Sequence, residues 1–297
     1  MYDRVKPSAI EWWLADVRAN FVNVEPKLLP LFDTYAAEAM FGWHYIASDL
    51  ECLHPGAKVL EVGAGSLLLS CQLVREGFQV SGLEPTGIGF SHFEQMRRLI
   101  LRRAAILGYL PQVLDSAAEA FAESNSYDYA FSVNVMEHVE DVASVMTNVG
   151  RSLTAGASYR FSCPNYLFPY EPHFNIPTLF SKRLTEKVFG QSIFGDKTMP
   201  DPSGTWKSLN WINVVQIQRI ARQLPGFRLT FNRRLLVVIF ERIGLAPVFA
   251  GRRSPAIRNV LLLLVRLRMH GLLRFIPAMC QPIMDCRLQK TVNSEVR

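Results

Sequence analysis

Glu61, Gly63, Ala64 and Gly65 stand together at one point of the chain, and Glu84 follows Gly65 by nineteen residues. Two glycines let a backbone approach a ligand where a Cβ would be in the way. An acid at the end of the next strand can take both hydroxyls of a ribose. The combination describes a nucleoside-binding crevice. Further along, Glu137 stands beside His138, and the run Tyr170-Glu171-Pro172-His173-Phe174-Asn175-Ile176-Pro177 puts three polar groups, Glu171, His173 and Asn175, within five residues among apolar ones. An imidazole beside a carboxylate is equipped to accept a proton. Chemistry at this site would combine a bound nucleoside with removal of a proton from a second ligand.

The elements that must position these residues alternate. Lys58 to Val62 is an apolar run of the kind that forms a buried parallel strand, and it breaks into the glycine turn. A helix is predicted over 66–76, a strand over 78–83, and a helix from Ser91, where Ser91-His92-Phe93-Glu94 is a capping box. A short strand over 112–114 runs into Asp115, and a brief helix carries Ala117 to Ala122. Tyr127 to Val133 reads as a strand, 139–153 as a helix, and Ser158 to Cys163 as a strand after the turn Thr154-Ala155-Gly156-Ala157. Strand and helix in turn imply a doubly wound α/β sheet. Residues 1–56 precede it as a helical, aromatic-rich cap. Residues 164–210 follow it with six prolines and one short helix at 178–189. A connection this long is functional when ordered. A helix at 212–224 and strands near 227–232 and 235–240 complete the sheet. The chain thus divides into a cap (1–56), a nucleoside-binding half (57–163), an acceptor-binding insertion (164–210), the C-terminal part of the sheet (211–250) and a basic, apolar helical extension (251–297).

The missing residues decide which nucleoside is bound. A dinucleotide fingerprint needs a third glycine at position 68, where this chain has Leu68, so the helix start is not shaped for a pyrophosphate. That disfavours a nicotinamide-dependent oxidoreductase. Glu61 suits a cationic ligand, such as the ammonium of a methionine moiety. With Glu61, Gly63 and Gly65 in the pattern acid-x-Gly-x-Gly, the chain resembles the class I S-adenosylmethionine-dependent methyltransferases. Leu67 stands where their third glycine is usual. The likeness runs from about 57 to 240. Val135-Met136-Glu137-His138-Val139 looks like the segment after the fourth strand in the ubiquinone-biosynthesis O-methyltransferases and their relatives, the methyltransferase type 11/12 group. The resemblance implies a Rossmann-like, mostly parallel seven-stranded sheet. It implies S-adenosylmethionine as cofactor, Asp115 reading the adenine amino group, and Asn134 completing the cofactor-binding set. It also implies methyl transfer to a small organic acceptor, with oxygen favoured. An N- or C-methyltransferase and a non-catalytic scaffold subunit of the same fold are the alternatives.

The sulfonium itself needs little help, so the protein's work is alignment and deprotonation. His138 and His173 are the two candidates for the base, with Glu137 placed to orient His138. His173 is the better of the two, because its connection leaves the fifth strand and overhangs the methyl site in this fold. Some ubiquinone O-methyltransferases hold a divalent ion just after the fourth strand. Here Asn134 replaces one of the acids wanted there, and hard cations prefer several carboxylates, so no metal is expected. Trp12, Trp13, Phe41, Trp43 and Tyr45 either cover the acceptor pocket or pack the cap onto the sheet.

The net charge of +6 is uneven. Arg252 to Arg297 holds nine basic and two acidic residues, leaving 23 basic and 24 acidic in residues 1–251. A neutral site region argues against nucleic acid as a ligand. The tail mixes leucines and arginines: either it packs as a helical pair on the domain or on a second copy in a homodimer through 252–297, or it contacts an anionic membrane peripherally; a chain ending near Gly251 should keep its cofactor affinity but lose vesicle binding or dimerisation. No apolar run approaches the roughly 20 residues that span a bilayer. The charged first twenty residues carry no leader pattern. The five scattered cysteines have no metal-ligand spacing. A cytoplasmic protein, at most peripheral at a membrane, is the resulting expectation.

Overall fold

The computed structural model describes residues 8–85, 92–196, 201–245 and 255–292. Ser91, the first residue of the expected capping box, lies outside them, as do Arg252 and Arg253 of the tail.

The elements begin with α1 (Ser8–Val24) and α2 (Leu29–Leu50), then β1 (Lys58–Val62), α3 (Leu68–Arg75), β2 (Gln79–Leu83), α4 (His92–Leu107) and β3 (Gln112–Leu114). β4 (Tyr127–Val133), α5 (Val142–Ser152) and β5 (Leu153–Pro164) follow. Three helices come next, α6 (Lys182–Phe194), α7 (Pro202–Ser208) and α8 (Val214–Arg222), then β6 (Phe227–Phe231), α9 (Leu235–Leu245), α10 (Pro255–Arg266) and β7 (Ile283–Lys290). Short 3₁₀ turns occupy Met269–Phe275 and Ala278–Cys280. The seven strands form one sheet in the order β3-β2-β1-β4-β5-β7-β6. β1 pairs in parallel with β2 and with β4, and β2 with β3. The strand order reverses between β1 and β4, and ligands of such sheets bind at the carboxyl ends of the strands at that point. β1 and β2 are buried along all but their first residue, as parallel strands covered on both faces should be.

The chain forms two compact units. One comprises the described residues of Met1–Val133, Ser144–Tyr159 and Lys290–Arg297; the other comprises Asn134–Ala143 and the described residues of Arg160–Gln289.

In the first unit the cap is bound by its aromatic residues. Trp13 is fully buried and its indole N–H donates to the Leu68 carbonyl at 3.0 Å. Trp43 is buried and donates to Glu76 at 2.6 Å, while Tyr45 is buried and stacks on Phe41. Trp12 is exposed beneath the Arg75 guanidinium. Trp13, Trp43 and Tyr45 thus serve to pack the cap. Arg103 adds a two-pronged ion pair to Asp16 of α1.

In the second unit, Arg160 on β5 and Asp285 on β7 form a bidentate pair at 3.0 and 2.7 Å, almost wholly excluded from water. Asn165, just past β5, donates to the carbonyls of Met279 and Gln281 and so ties the Ala278–Cys280 turn to the strand end.

Two sequence expectations fail here. The strand expected at 235–240 is the first part of helix α9. Among its described side chains Leu235, Leu236 and Ile239 are buried, and their spacing fits one helical face. The helical extension is helical only as far as Cys280. Ile283–Lys290 is a strand lying between β5 and β6, with Met284, Asp285, Cys286 and Leu288 buried. No described helix is long and apolar enough to cross a membrane.

Candidate active site

The glycine turn is built at the end of β1. Gly63 and Gly65 have φ of 71° and 49°, the left-handed region that a side chain disfavours. Their neighbourhood is fixed by β2: the amides of Gly63 and Ala64 both donate to the Leu83 carbonyl, at 2.8 and 3.2 Å. The Gly65 amide donates to Glu84 Oε2 at 3.0 Å. The acid expected to receive the ribose therefore also braces the turn. Glu84 N donates to the Leu114 carbonyl, and Asp115 is the next residue after that strand, so the three strand ends stand in a row.

Leu67, at the position where the resemblance expects a third glycine, adopts the left-handed conformation, with φ of 63°. A left-handed non-glycine residue costs about 1–2 kcal/mol. Burial compensates it: Leu67 is fully buried over Gly82, and a Cβ on Gly82 would collide with Leu67 Cδ2 and come within 3.1 Å of Ala64 Cβ. The leucine and the facing glycine are one packing solution.

Glu61 is buried and accepts a hydrogen bond from the Ser70 hydroxyl. Burial pushes its carboxyl up to about 8, Ser70 opposes the shift, and the Glu84 charge adds to it. Burial also raises Glu84, against the pull of the Gly65 amide. Two carboxyls that resist ionisation beside one glycine turn are complementary to a cation. A cation bound there would draw them to the charged form; the roles expected of them are Glu84 on ribose hydroxyls and Glu61 as partner of an ammonium. Charge-assisted hydrogen bonds are worth about 1.5–3 kcal/mol each. Glu84→Ala should therefore weaken S-adenosylmethionine binding at least about tenfold in a calorimetric titration. An unchanged affinity would remove Glu84 from the cofactor set.

The second cluster lies in the other unit. Asn134 follows β4 in a left-handed conformation (φ of 56°) and donates its amide to the Ser162 carbonyl at 2.9 Å. Three residues on, Glu137 is fully buried. Asn210 pins this segment: its side chain donates to the carbonyls of Met136 and Val139, and its amide to that of Glu137.

The two predicted histidines come together here, with ring centroids 5.3 Å apart. His173 Nδ1 lies 2.5 Å from Glu171 Oε1, and Glu171 also accepts from the amides of His173 and Phe174 and from the Tyr166 hydroxyl. A carboxylate partner makes Nδ1 the donor, so Nε2 carries the lone pair. His138 Nδ1 lies 2.8 Å from Ser208 Oγ, whose own proton goes to the Thr205 carbonyl. Nδ1 is again the donor and Nε2 the lone-pair nitrogen. Burial and the neighbouring His173 lower His138 to about 4. Glu137 was expected to orient His138; instead Ser208 does so, and Glu137 Oε1 lies 3.9 Å from His173 Nε2. Neither oxygen of Glu137 has a hydrogen-bond partner. Burial pushes Glu137 up to about 7, the His173 ring opposing and the Glu171 charge adding. Glu137, His138 and His173 each offer an acceptor atom within 4.8 Å of the others, the only such group of potential metal ligands among the described residues.

Aromatic rings adjoin the cluster. Trp211 stacks on Tyr166 at 4.3 Å, and Trp206 meets both Trp211 and Phe174 edge to face. Glu171, Ser208 and Asn210 are the residues whose roles sequence reasoning missed. Only Glu171 had a signal, its place two residues before His173.

A family model described as "Methyltransferase domain" matches residues 60–161. "Uncharacterized protein Rv1509" of Mycobacterium tuberculosis is 45% identical over 283 residues, 95% of this chain and 96% of that protein. "Ubiquinone biosynthesis O-methyltransferase" of Sodalis glossinidius is 28% identical over 160 residues, covering 48% of this chain and 61% of the relative. Among solved structures, a putative sarcosine dimethylglycine methyltransferase from Galdieria sulphuraria aligns with a TM-score of 0.49 at 17% identity, over 86% of each chain.

Proposed function

We propose that this chain, a class I S-adenosylmethionine-dependent methyltransferase by its methyltransferase domain at residues 60–161, methylates a hydroxyl of a small organic acceptor. When bound, the cofactor supplies an electrophilic methyl group on a sulfonium. The residues of this chain then have two tasks. Glu61, the Gly63–Gly65 turn and Glu84, with Asp115, hold the cofactor. His173 and His138, beside Glu137, receive the acceptor and take its proton.

The observation that carries the choice of oxygen is a buried carboxyl, Glu137, with no hydrogen-bond partner beside two imidazoles. Two lone-pair nitrogens and a buried carboxylate with no hydrogen-bond partner face one another. A buried, unsatisfied carboxylate costs about 1–3 kcal/mol or more, and an O–H group relieves it. A carboxylate beside an amine acts the other way: it stabilises the ammonium, which has no lone pair to attack the methyl group. Beside a hydroxyl the same cluster favours loss of the proton and so raises nucleophilicity. The aromatic rings of Trp206, Trp211, Tyr166 and Phe174 supply the apolar walls that small-molecule pockets use.

Transfer of labelled methyl from S-adenosylmethionine to a panel of phenols, alcohols, sugars and amines tests the reading. Turnover on hydroxyls and none on amines is expected, and amine products alone would overturn it. Activity should also survive exhaustive chelation. The cluster offers two imidazoles and one carboxylate, a set better suited to a transition ion than to magnesium. Loss of activity on chelation, restored by zinc or iron, would make Glu137, His138 and His173 ligands rather than a proton-accepting group.

A further inference from the structure

We propose that the segment 262–279 is a docking surface for an anionic lipid bilayer, an inference independent of which acceptor is methylated. Leu262, Leu263, Leu267, Met269, Leu272, Phe275 and Met279 are all exposed, Leu272 and Phe275 by 60% and 64%. Large apolar side chains concentrated this way on a surface mark a place of contact. The segment is held, not loose: α10 and the Met269–Phe275 turn pack against α9 and against each other. Their inner side chains are thus already used, and the exposed ones point away from that packing.

Charge selects the occupant. Arg266, Arg268 and Arg274 are exposed among these apolar side chains, with the Arg274 guanidinium over the Phe275 ring at 4.8 Å. No acidic residue occurs between Glu241 and Asp285. A second copy of the same surface would bring arginines against arginines with nothing in the segment to neutralise them, and like charges in an interface are costly. Anionic headgroups above an apolar layer satisfy both features at once. Leucine, methionine and phenylalanine enter the acyl boundary while the arginines stay among the phosphates.

The test is flotation of the full chain with vesicles of phosphatidylglycerol in phosphatidylcholine, against phosphatidylcholine alone. Binding to the anionic vesicles, falling as salt rises, is expected. Each arginine near such a surface contributes about fivefold in affinity, so R266Q/R268Q/R274Q should weaken binding by roughly a hundredfold. L267S/L272S/F275S should lower binding to the anionic vesicles as well, with the circular dichroism spectrum unchanged. If a variant fails to fold, the salt dependence of the unaltered chain decides: binding equal on both vesicle types, or insensitive to salt, overturns the proposal. So does a dimer in light scattering that L267S/L272S/F275S dissolves while no vesicle binding is seen.

Discussion

His173→Ala is expected to lower turnover by about 10²–10⁴ while leaving S-adenosylmethionine affinity nearly intact, because removal of a general base typically costs that much. The geometry sharpens the expectation. Glu171 receives four hydrogen bonds, two of them from His173 itself, and so fixes both the tautomer and the orientation of the ring. Glu171→Gln keeps the size of the side chain but removes the charge that stabilises the protonated imidazole. It should act on kcat more than on KM, less severely than His173→Ala, and shift the acid limb of the pH profile. His138→Ala is the paired comparison. Its ring is already disfavoured from taking a proton, since burial and His173 hold it low. If His138→Ala abolishes turnover and His173→Ala leaves it unchanged, the roles of the two histidines are reversed.

Asp285→Ala should destabilise the fold by about 3–5 kcal/mol, the cost of leaving one member of a buried ion pair without the other. Total stabilities are about 5–15 kcal/mol, so the variant would stand near unfolding at ordinary temperature. Arg160 would be left buried on β5, its guanidinium unable to reach bulk water. The double variant Arg160→Met/Asp285→Leu should recover most of the loss, since well-packed apolar replacements of buried pairs are often neutral. Denaturant midpoints of the three proteins measure this. Equal midpoints for Asp285→Ala and the parent chain would mean that the pair is solvated in solution. The same strand corrects an expectation drawn from sequence. A chain ending near Gly251 lacks β7, an internal strand, and should fail to fold rather than keep its cofactor affinity.

The difference between what the sequence disclosed and what it hid has a physical cause. The nucleoside half was legible because each strand there is a short apolar run bounded by turn residues, and because glycines and acids fall where the turn needs them. His138 and His173 could be named because one follows the fourth strand and the other lies in the long connection after the fifth. The run Leu235 to Phe240 was misread because a short stretch of aliphatic and β-branched residues suits a buried strand or a buried helix equally, and periodicity cannot separate them. β7 was missed because Asp285 and Arg287 interrupt its apolar pattern. Asp285 is paired in the core with Arg160, 125 residues earlier, and no local signal carries that pairing. Asn210 and Ser208 act on Met136–Val139 and His138 from some seventy residues away, which is likewise invisible along the chain.

That long separation sets a timetable for synthesis. Ribosomes add about 5–20 residues per second, so Arg160 emerges on the order of ten seconds before the aspartate that neutralises it. Throughout that interval the β5 edge has no neighbour from β7, and β6, although already made, has nothing to pair with. An exposed strand edge beside an unneutralised charge is a natural substrate for chaperones and a liability for aggregation. Expression yield in a heterologous host should accordingly depend on chaperone supply and on temperature during translation more than on the stability of the finished enzyme.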